Sequence, residues 1–422
     1  MSEVFKIQGG QKLSGRVQIS GSKNAALPIL AATVASGGEF EIANVPRISD
    51  TESLLHILQK CGAQVEFPKK NVVRLDTRKF DPALLADCRE EIEQMRAAIL
   101  LVGPLLARFG SAKIPFPGGC VLGKRSCSTH LQAFAAMGAN VLESERFLHL
   151  EFSRKNLPAK PKVILSEMSV TATENLLIFA SCFENETEIR LAAAEPHVKN
   201  LCEFLQNCGA SIAGAGTHNL KISGGSFSSG KVRVVPDMLE AGTFVLAGVL
   251  TGSNIVVEDF AAGDLDSFWQ KLAKTGAKFT VRESSCETFP ASNLQPVDLK
   301  TAVFPGFPTD LMAPFAVLLT QAVGESTVFE TLFDGRFAFL FELEKMGAKI
   351  EMLNPHQARI FGQSKLNGTQ VASQDLRAGA AVVLAALIAK GESEISRVRY
   401  IFRGYQDFAA KLKSLGASIV VA

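Results

Sequence analysis

A Gly-Ala pair closes an amphipathic stretch at six places in this chain of 422 residues, and the pairs recur roughly 70 residues apart. Each stretch has the periodicity of a helix, and a short run of β-type residues follows each pair. Glycine suits the position after a helix because the chain there takes a left-handed turn that a Cβ disfavours. The six glycines are Gly62, Gly138, Gly209, Gly276, Gly347 and Gly416.

Each repeat also contains a second helix that is apolar on nearly every face. Such a helix must be covered on all sides, so we expect each repeat to run strand, buried helix, strand, exposed helix, strand. Three repeats closing around three buried helices make one domain, and six repeats make two. The sequence therefore predicts an α/β fold of two domains rather than a linear solenoid. The buried helices begin near Ala25, Met95, Thr171, Asp237, Asp310 and Asp375.

The domain boundaries are predicted from the repeats, because the chain has no linker rich in proline or serine. One domain is expected to comprise residues 1–21 and 236–422, with the first strand, Val4–Ile7, returning to the C-terminal repeats. The other is expected to comprise residues 22–235. Two crossings of the chain would make a hinge, and the cleft between the halves is the expected ligand site.

The charge balance argues against nucleic acid or a membrane surface as a partner. Lys and Arg number 44 against 42 Asp and Glu, which leaves a formal charge of +2. The longest apolar runs, Ala97–Ala107 and Ala378–Ala389, are shorter than the roughly 18 residues that span a bilayer. The first residues lack the order of a signal peptide. We expect a cytoplasmic protein that is a monomer or a weak homo-oligomer.

The cysteines and histidines show no metal-binding spacing. None of the 8 cysteines forms a CxxC pair, and the 6 histidines form no HExxH or HxH pattern. We expect neither a metal site nor a cofactor. Most cysteines are expected to be buried and reduced, and Cys120 is the exception.

Lys23 and Asn24 follow a flexible Ser-Gly-Ser segment and precede a buried helix. A lysine at such a turn can meet a phosphate or carboxylate beside free backbone N–H groups. A solvated loop lysine is the common alternative. The expected position between the domains favours a role in binding an anion.

Cys120 ends a non-helical loop that reads Pro-Phe-Pro-Gly-Gly-Cys. Paired glycines give a loop mobility, and a mobile loop near a cleft can act as a lid. Lys124 and Arg125 follow closely, and nearby cations favour the thiolate form of a cysteine. An average cysteine is buried and inert, but this pattern favours a reactive thiol.

Asp310 begins a buried helix, as Asp237 and Asp375 do in neighbouring repeats. The repetition is typical of helix N-caps. Pro305, Gly306 and Pro308 constrain the turn before Asp310 more than a cap requires. We therefore predict a catalytic Asp310, and a capping or supporting role for Asp375.

Three arginines recur near helix starts in the last two repeats: Arg336, Arg377 and Arg403. Single arginines are usually surface partners in ion pairs. Three in repeated positions, together with Lys23 and Arg125, indicate a convergent site for an anion. The planar guanidinium fork suits both phosphate and carboxylate groups.

Together these segments resemble the UDP-N-acetylglucosamine 1-carboxyvinyltransferases, a family of enolpyruvyl transferases. The resemblance covers nearly the whole chain and rests on the six repeats and on GSKNAALPIL, PGGC, PDMLEAGTF, PGFPTD, GRF, DLRA and RGY. It implies two inverse α/β barrels joined by a two-stranded hinge. It also implies transfer of the enolpyruvyl group of phosphoenolpyruvate to the 3-hydroxyl of UDP-N-acetylglucosamine, the first committed step of peptidoglycan precursor synthesis.

The resemblance further implies roles for individual residues. Cys120 matches a cysteine linked to proton donation at C3 of phosphoenolpyruvate and to a covalent adduct. Asp310 matches the base beside the 3-hydroxyl, and Asn24 matches a polar residue at the reacting centre. The residues matching cations around phosphoenolpyruvate are Lys23, Arg125, Arg336, Arg377 and Arg403. Those matching positions around the nucleotide are Arg96, Arg125, Ser126, Cys127, Ser128, Thr129, Ser169 and Val170.

Some positions depart from the family pattern and leave two alternatives open. Ser126 and Ser128 replace a proline and an aspartate beside the nucleotide, Phe402 replaces an acidic residue, and Met312 replaces a glutamine. We expect these changes to alter affinity or rate and to leave the reacting centre intact. The alternatives are a 3-phosphoshikimate 1-carboxyvinyltransferase, which shares the donor, and a catalytically silent paralogue that binds sugar nucleotides.

Overall fold

The computed structural model describes residues 3–118, 126–142, 144, 146–225, 227 and 229–422, and these residues form two compact units. The C-terminal unit comprises residues 3–20 and 236–422. The N-terminal unit comprises the described residues from 21 to 235. Each unit has its own continuous hydrophobic core.

The secondary structure alternates between strands and helices throughout. The strands are β1 (Phe5–Gln8), β2 (Ser14–Gln18), β3 (Glu39–Ala43), β4 (Gln64–Lys69), β5 (Val72–Asp76), β6 (Ser111–Pro115), β7 (Asn140–Leu142), β8 (Phe147–Glu151), β9 (Lys162–Ile164), β10 (Thr187–Arg190), β11 (Ser211–Ala213), β12 (Asn219–Ser223), β13 (Gly230–Arg233), β14 (Asn254–Glu258), β15 (Lys278–Arg282), β16 (Ser285–Phe289), β17 (Leu299–Lys300), β18 (Gly324–Phe329), β19 (Lys349–Asn354), β20 (Gln357–Gly362), β21 (Gln370–Ala372), β22 (Glu392–Ser396) and β23 (Ser418–Val421). The α-helices are α1 (Lys23–Ala32), α2 (Ser49–Lys60), α3 (Arg89–Gln94), α4 (Val102–Phe109), α5 (Ser128–Ala136), α6 (Val170–Ala180), α7 (Pro196–Asn207), α8 (Met238–Leu250), α9 (Asp266–Lys274), α10 (Thr309–Leu319), α11 (Ala338–Lys345), α12 (Leu376–Ile388) and α13 (Phe408–Ser414). Short 3₁₀ helices cover Thr33–Ala35, Pro82–Cys88, Arg96–Leu101, Arg154–Asn156, Ala262–Leu265 and Val398–Arg403.

The described strands form six sheets, three in each unit. In five of them one edge pair is parallel and the other pairings are antiparallel. The N-terminal unit contains the orders β13-β3-β5-β4, β9-β10-β12-β11 and β6-β8-β7. The C-terminal unit contains β2-β14-β16-β15, β17-β18-β20-β19 and β21-β22-β1-β23.

The two edge strands that precede the crossings between the units pair differently from those of the other repeats. In other repeats the parallel edge strand, the buried helix and the next strand are consecutive, as in β9, α6 and β10. In contrast, β2 precedes α1 but pairs with β14, and β13 precedes α8 but pairs with β3. Each strand before a crossing therefore completes a sheet in the unit that the chain leaves.

The structure corrects the predicted repeat in one respect. In five of the six repeats the amphipathic helix is followed by a two-stranded hairpin, as in β4 with β5 and β19 with β20, and not by the single strand that we expected. In the sixth repeat a single strand, β23, follows the helix and pairs with β1. A second β run follows the first after a short turn, and pairing the two runs satisfies backbone groups that one strand would leave unpaired.

All six repeat glycines have the predicted left-handed backbone. Their φ angles are 94° at Gly62, 88° at Gly138, 108° at Gly209, 75° at Gly276, 102° at Gly347 and 100° at Gly416. The prediction of a glycine C′ position after each amphipathic helix is therefore confirmed.

The predicted buried helices are α1, α4, α6, α8, α10 and α12. The second of them differs from the prediction, because Arg96–Leu101 is a 3₁₀ helix and the α-helix begins only at Val102. Pro104 cannot donate to the carbonyl of Leu100, so the α-helical ladder lacks one hydrogen bond at this point. No helix among the described residues is long and apolar enough to cross a membrane.

Candidate active site

Two of the three repeated aspartates cap helices in the C-terminal unit. Asp237 Oδ1 accepts hydrogen bonds from the backbone N–H groups of Leu239 (2.8 Å) and Glu240 (3.2 Å) at the start of α8. Asp375 Oδ1 accepts from the N–H groups of Arg377 (2.7 Å) and Ala378 (2.9 Å) at the start of α12. The predicted capping role of Asp375 agrees with this geometry.

Asp310 differs from the other two because it is the second residue of α10, whose N-cap is Pro308. Its carboxylate lies between two guanidinium groups. Arg336 Nη2 donates to Oδ1 at 2.8 Å, and Arg377 Nε donates to Oδ2 at 3.1 Å. The tertiary structure thus brings together three of the predicted site residues, Asp310, Arg336 and Arg377.

Both arginines of this cluster are buried, with side chains 7% exposed at Arg336 and 2% exposed at Arg377. Burial by itself lowers the pKa of Arg336, but Asp310 and Asp375 outweigh that effect and raise it. For Arg377 burial is likewise outweighed by Tyr405, Asp310 and Asp237, and the pKa is raised. Both guanidinium groups are therefore charged at any physiological pH.

Arg377 is oriented by a buried tyrosine. Its Cζ atom lies 5.0 Å from the ring centroid of Tyr405, and its Nη2 atom lies 4.0 Å from Asp237 Oδ2. The Tyr405 hydroxyl is in turn 3.0 Å from Thr243 Oγ1. Nη1 and Nη2 of Arg377 have no hydrogen-bond partner among the described residues. Both of these nitrogens are buried.

The N-terminal unit presents Lys23 and Asn24 as the first two residues of α1. Lys23 Nζ lies 3.3 Å from Oδ2 of Asp50, which is buried. Asn24 occupies the same place in α1 as Asp310 does in α10, and a proline follows each of them by four residues, at Pro28 and Pro314. Proline has no N–H, so the carbonyls of Asn24 and Asp310 lack the usual helical donor.

The segment before α5 is held by Arg96. Its Nη2 atom donates to the Ser126 carbonyl at 2.8 Å, and its Nη1 atom lies 3.4 Å from Cys127 Sγ. The hydroxyls of Ser126 and Ser128 are 2.8 Å apart. Among the described cysteines Cys127 is half-buried, which differs from the predicted buried thiol, and the others are buried as predicted.

A second hydroxyl-rich segment lies beside the first. Thr129 Oγ1 is 3.0 Å from Ser166 Oγ and donates to Glu167 Oε1 at 3.0 Å. Ser169 is the N-cap of α6, whose first residue is Val170. Thr129 therefore links the segment that precedes Ser169 and Val170 to the start of α5, and both contain predicted nucleotide positions.

The remaining predicted site residues are Cys120, Arg125 and Arg403. Cys120, Lys124 and Arg125 lie outside the described residues. Arg403 ends the 3₁₀ helix Val398–Arg403 and is half-buried.

Comparison with known proteins decides the family. A family model described as EPSP synthase (3-phosphoshikimate 1-carboxyvinyltransferase) matches residues 7–412. The chain is 42% identical to UDP-N-acetylglucosamine 1-carboxyvinyltransferase 2 of Carboxydothermus hydrogenoformans over 99% of each chain. This chain belongs to the enolpyruvyl transferase family. It is also 38% identical, over 99% of each chain, to the UDP-N-acetylglucosamine 1-carboxyvinyltransferase of Campylobacter hominis.

Solved structures agree with this enolpyruvyl transferase fold. The enolpyruvyl transferase NikO from Streptomyces tendae matches with a TM-score of 0.87 at 24% identity, over 100% of this chain and 99% of that chain. An EPSP synthase from Acinetobacter baumannii matches with a TM-score of 0.76 at 17% identity, over the whole of both chains. The predicted α/β fold and the predicted family are both confirmed.

Sequence reasoning missed several residues that contact the candidate site residues. Tyr405 and Thr243 support Arg377, and Asp50 contacts Lys23. Tyr405 lies within the RGY motif and could have been found there. Thr243 and Asp50 carry no local signal, because their partners are distant in sequence.

Proposed function

We propose that this enolpyruvyl transferase moves the enolpyruvyl group of phosphoenolpyruvate to the 3-hydroxyl of UDP-N-acetylglucosamine and releases phosphate. In a bacterial cell this reaction would begin peptidoglycan precursor synthesis. The enzyme would work in the cytoplasm, where both substrates are made, as a monomer or weak homo-oligomer.

One structural observation, the surroundings of Asp310, supports the proposal most directly. In α8 and α12 the aspartate at the helix start is an N-cap. At the start of α10 the carboxylate of Asp310 instead accepts hydrogen bonds from Arg336 and Arg377. A carboxylate set among fixed cations at a helix start combines a proton acceptor with groups that bind anions. The chain is 42% and 38% identical, over 99% of its length, to two transferases named for UDP-N-acetylglucosamine, and this similarity supports the same substrates.

The proposed reaction is an addition followed by an elimination. The oxygen of the 3-hydroxyl bonds to C2 of phosphoenolpyruvate, its proton passes to Asp310, and C3 receives a proton from Cys120. The resulting ketal then loses a proton from C3, the C2–O bond to phosphate breaks, and the double bond re-forms. Each half of the reaction needs one acid and one base.

The donor anion would compete with Asp310 for its arginines. Arg377 and Arg336 both donate to Asp310, and the positive charge of this pair would attract the phosphate or carboxylate of the donor. The other proposed donor contacts are Lys23, Arg125 and Arg403. Fixed cations would stabilise the charge that develops on the leaving phosphate.

The first test is phosphate release from phosphoenolpyruvate with three acceptor conditions: UDP-N-acetylglucosamine, shikimate 3-phosphate and no acceptor. We expect release only with the sugar nucleotide. Release only with shikimate 3-phosphate would keep the family chemistry and overturn the acceptor. The description of the matching family model makes this the second candidate.

A second test addresses Cys120 and the silent-paralogue alternative. Fosfomycin mimics phosphoenolpyruvate, and we expect it to alkylate Cys120, with the adduct located by peptide mass spectrometry. Cys127 is the matched internal control, because it is the half-buried thiol among the described cysteines. No phosphate release and no alkylation at Cys120 would favour a protein that only binds sugar nucleotides.

A further inference from the structure

The second residue of the buried helices repeatedly carries a site group. That position is Asn24 in α1, Asp310 in α10 and Arg377 in α12. In α6 the same position is Thr171, which is half-buried and follows Ser169 and Val170. The repeat therefore places Thr171 where three related helices present polar groups to the site.

The hydrogen bonds around Asn175 determine which way its amide points. Asn175 Oδ1 accepts from the backbone N–H of Gly103 at 2.8 Å, and Nδ2 donates to the Ile99 carbonyl at 2.9 Å. A backbone N–H only donates and a carbonyl only accepts, so the two amide ends cannot be interchanged. Nδ2 also lies 3.1 Å from His130 Nδ1 and must donate to it.

The orientation of Asn175 in turn decides the tautomer of His130. A ring nitrogen that accepts a hydrogen bond carries no proton, so the proton of the neutral imidazole is on Nε2. Burial, together with Arg96, lowers the pKa of His130 to about 3, so the ring is neutral at physiological pH. His130 Nε2 lies 3.0 Å from Thr171 Oγ1 and donates to it.

The hydroxyl proton of Thr171 is left for another partner. Thr171 Oγ1 accepts from His130, and no other hydrogen-bond partner of this hydroxyl is found among the described residues. The chain of bonds from Ile99 through Asn175 and His130 thus runs in one direction and ends on a half-buried O–H donor. The donor is in the first turn of α6 and contacts His130 of α5, so it lies beside two predicted nucleotide positions, Val170 and Thr129, which are its neighbours along those helices.

We infer that Thr171 is a specificity-determining residue that donates a hydrogen bond from its side chain to an oxygen of the sugar-nucleotide acceptor. His130 and Asn175 are positioning residues that keep this hydroxyl a donor. The inference rests on the proposed function, since it assigns an atom of the enzyme to the acceptor of that reaction.

The test measures equilibrium binding of UDP-N-acetylglucosamine by calorimetry, beside KM values for both substrates. Thr171→Val keeps the shape of the side chain and removes the hydroxyl. We expect about tenfold weaker binding of the sugar nucleotide, an equal rise in its KM, and an unchanged KM for phosphoenolpyruvate. Thr171→Ser should restore binding, because the donor returns.

The outcomes separate this inference from the proposed function. Failure of the wild-type enzyme to bind UDP-N-acetylglucosamine would overturn the proposed acceptor. Tight binding by the wild type and equal binding by Thr171→Val would overturn the inference alone. A loss that Thr171→Ser does not recover would assign the effect to packing and would also overturn it.

The direction of the bond chain can be tested in the wild-type enzyme without any substitution. Nitrogen-15 NMR distinguishes protonated from unprotonated ring nitrogens of histidine. We expect the proton of His130 on Nε2 at neutral pH, both without ligand and with UDP-N-acetylglucosamine. A proton on Nδ1 would make Thr171 the donor to His130 and would contradict the inference.

Discussion

Equivalent helix starts in the two units carry different chemistry. In the C-terminal unit α10 presents Asp310, which is held by two buried arginines. In the N-terminal unit α6 presents Thr171, which belongs to an uncharged chain with His130 and Asn175. The comparison teaches that one repeated backbone position serves a charged or a neutral site, according to whether tertiary partners of opposite charge are supplied.

The reason lies in the cost of burying charge. An ionised group away from water needs a partner that restores the lost solvation. Asp310 has such partners in Arg336 and Arg377. Around α6 burial, with Arg96 nearby, lowers the pKa of His130 to about 3, and burial, with Glu195 nearby, raises the pKa of Glu174 well above its ordinary value, so the neutral form of each group is favoured.

The largest effect is expected at the charged site. Asp310→Asn keeps the size of the side chain and removes the proton acceptor, so kcat for phosphate release with UDP-N-acetylglucosamine should fall by roughly 10²–10⁴-fold. The matched control is Glu325→Gln, which removes a carboxylate from an exposed ion pair with Arg359 in the same unit. An unchanged kcat in Asp310→Asn would remove Asp310 from the chemistry.

The next largest effect concerns stability of the same cluster. Arg377→Met should lower the free energy of unfolding by about 3–5 kcal/mol, because it leaves buried carboxylates short of a cation. Urea unfolding measures this loss, and adding Asp310→Asn should recover part of it. Arg16→Met, which breaks an exposed pair with Glu258, should cost about 0–1 kcal/mol. Equal losses of unfolding free energy in Arg377→Met and Arg16→Met would contradict a special role for the buried cluster.

A smaller effect is expected from His130 and depends on pH. Its folded-state pKa of about 3 is below its ordinary value of 6.5, so between these values the unfolded chain binds a proton that the folded chain does not. Stability therefore falls as pH drops through this window. From pH 7.5 to pH 5 the wild type should lose about 2 kcal/mol more than His130→Gln in urea unfolding. Parallel curves would show that His130 is not held neutral.

The smallest effect has the opposite sign. Burial, with Glu195 nearby, raises the pKa of Glu174 well above its ordinary value of 4.5, so the unfolded chain loses a proton that the folded chain keeps. Its contribution to stability is lost as pH rises. Glu174→Gln should become more stable relative to wild type as the pH rises above 4.5, by at most about 1.4 kcal/mol for each pH unit. A stability difference between Glu174→Gln and wild type that stays constant or shrinks with rising pH would contradict a neutral Glu174.

Much of this architecture could be predicted from periodicity. The glycines after the amphipathic helices and the all-round apolar helices are local signals, because helix ends and buried faces impose them residue by residue. The hairpin in five of the repeats was not predicted, since two short β runs look alike whether they pair or merge. The exchange of β2 and β13 between repeats also has no local signature.

The candidate site divides in the same way. Asp310, Arg336 and Arg377 could be singled out from the sequence because unusual residues stood at repeated helix starts. That Asp310 pairs with the arginines while Asp237 and Asp375 cap their helices was decided by tertiary structure. The same holds for Tyr405 over Arg377 and for the tautomer of His130, which depends on an asparagine 45 residues away.

The sequence by itself determined the family, the repeat and the residue types available for chemistry, because these depend on composition and spacing along the chain. Only the tertiary structure decided which carboxylate is a cap and which hydroxyl is left to donate. Those outcomes depend on which donors and acceptors lie within about 3 Å, and folding brings together groups that spacing does not relate.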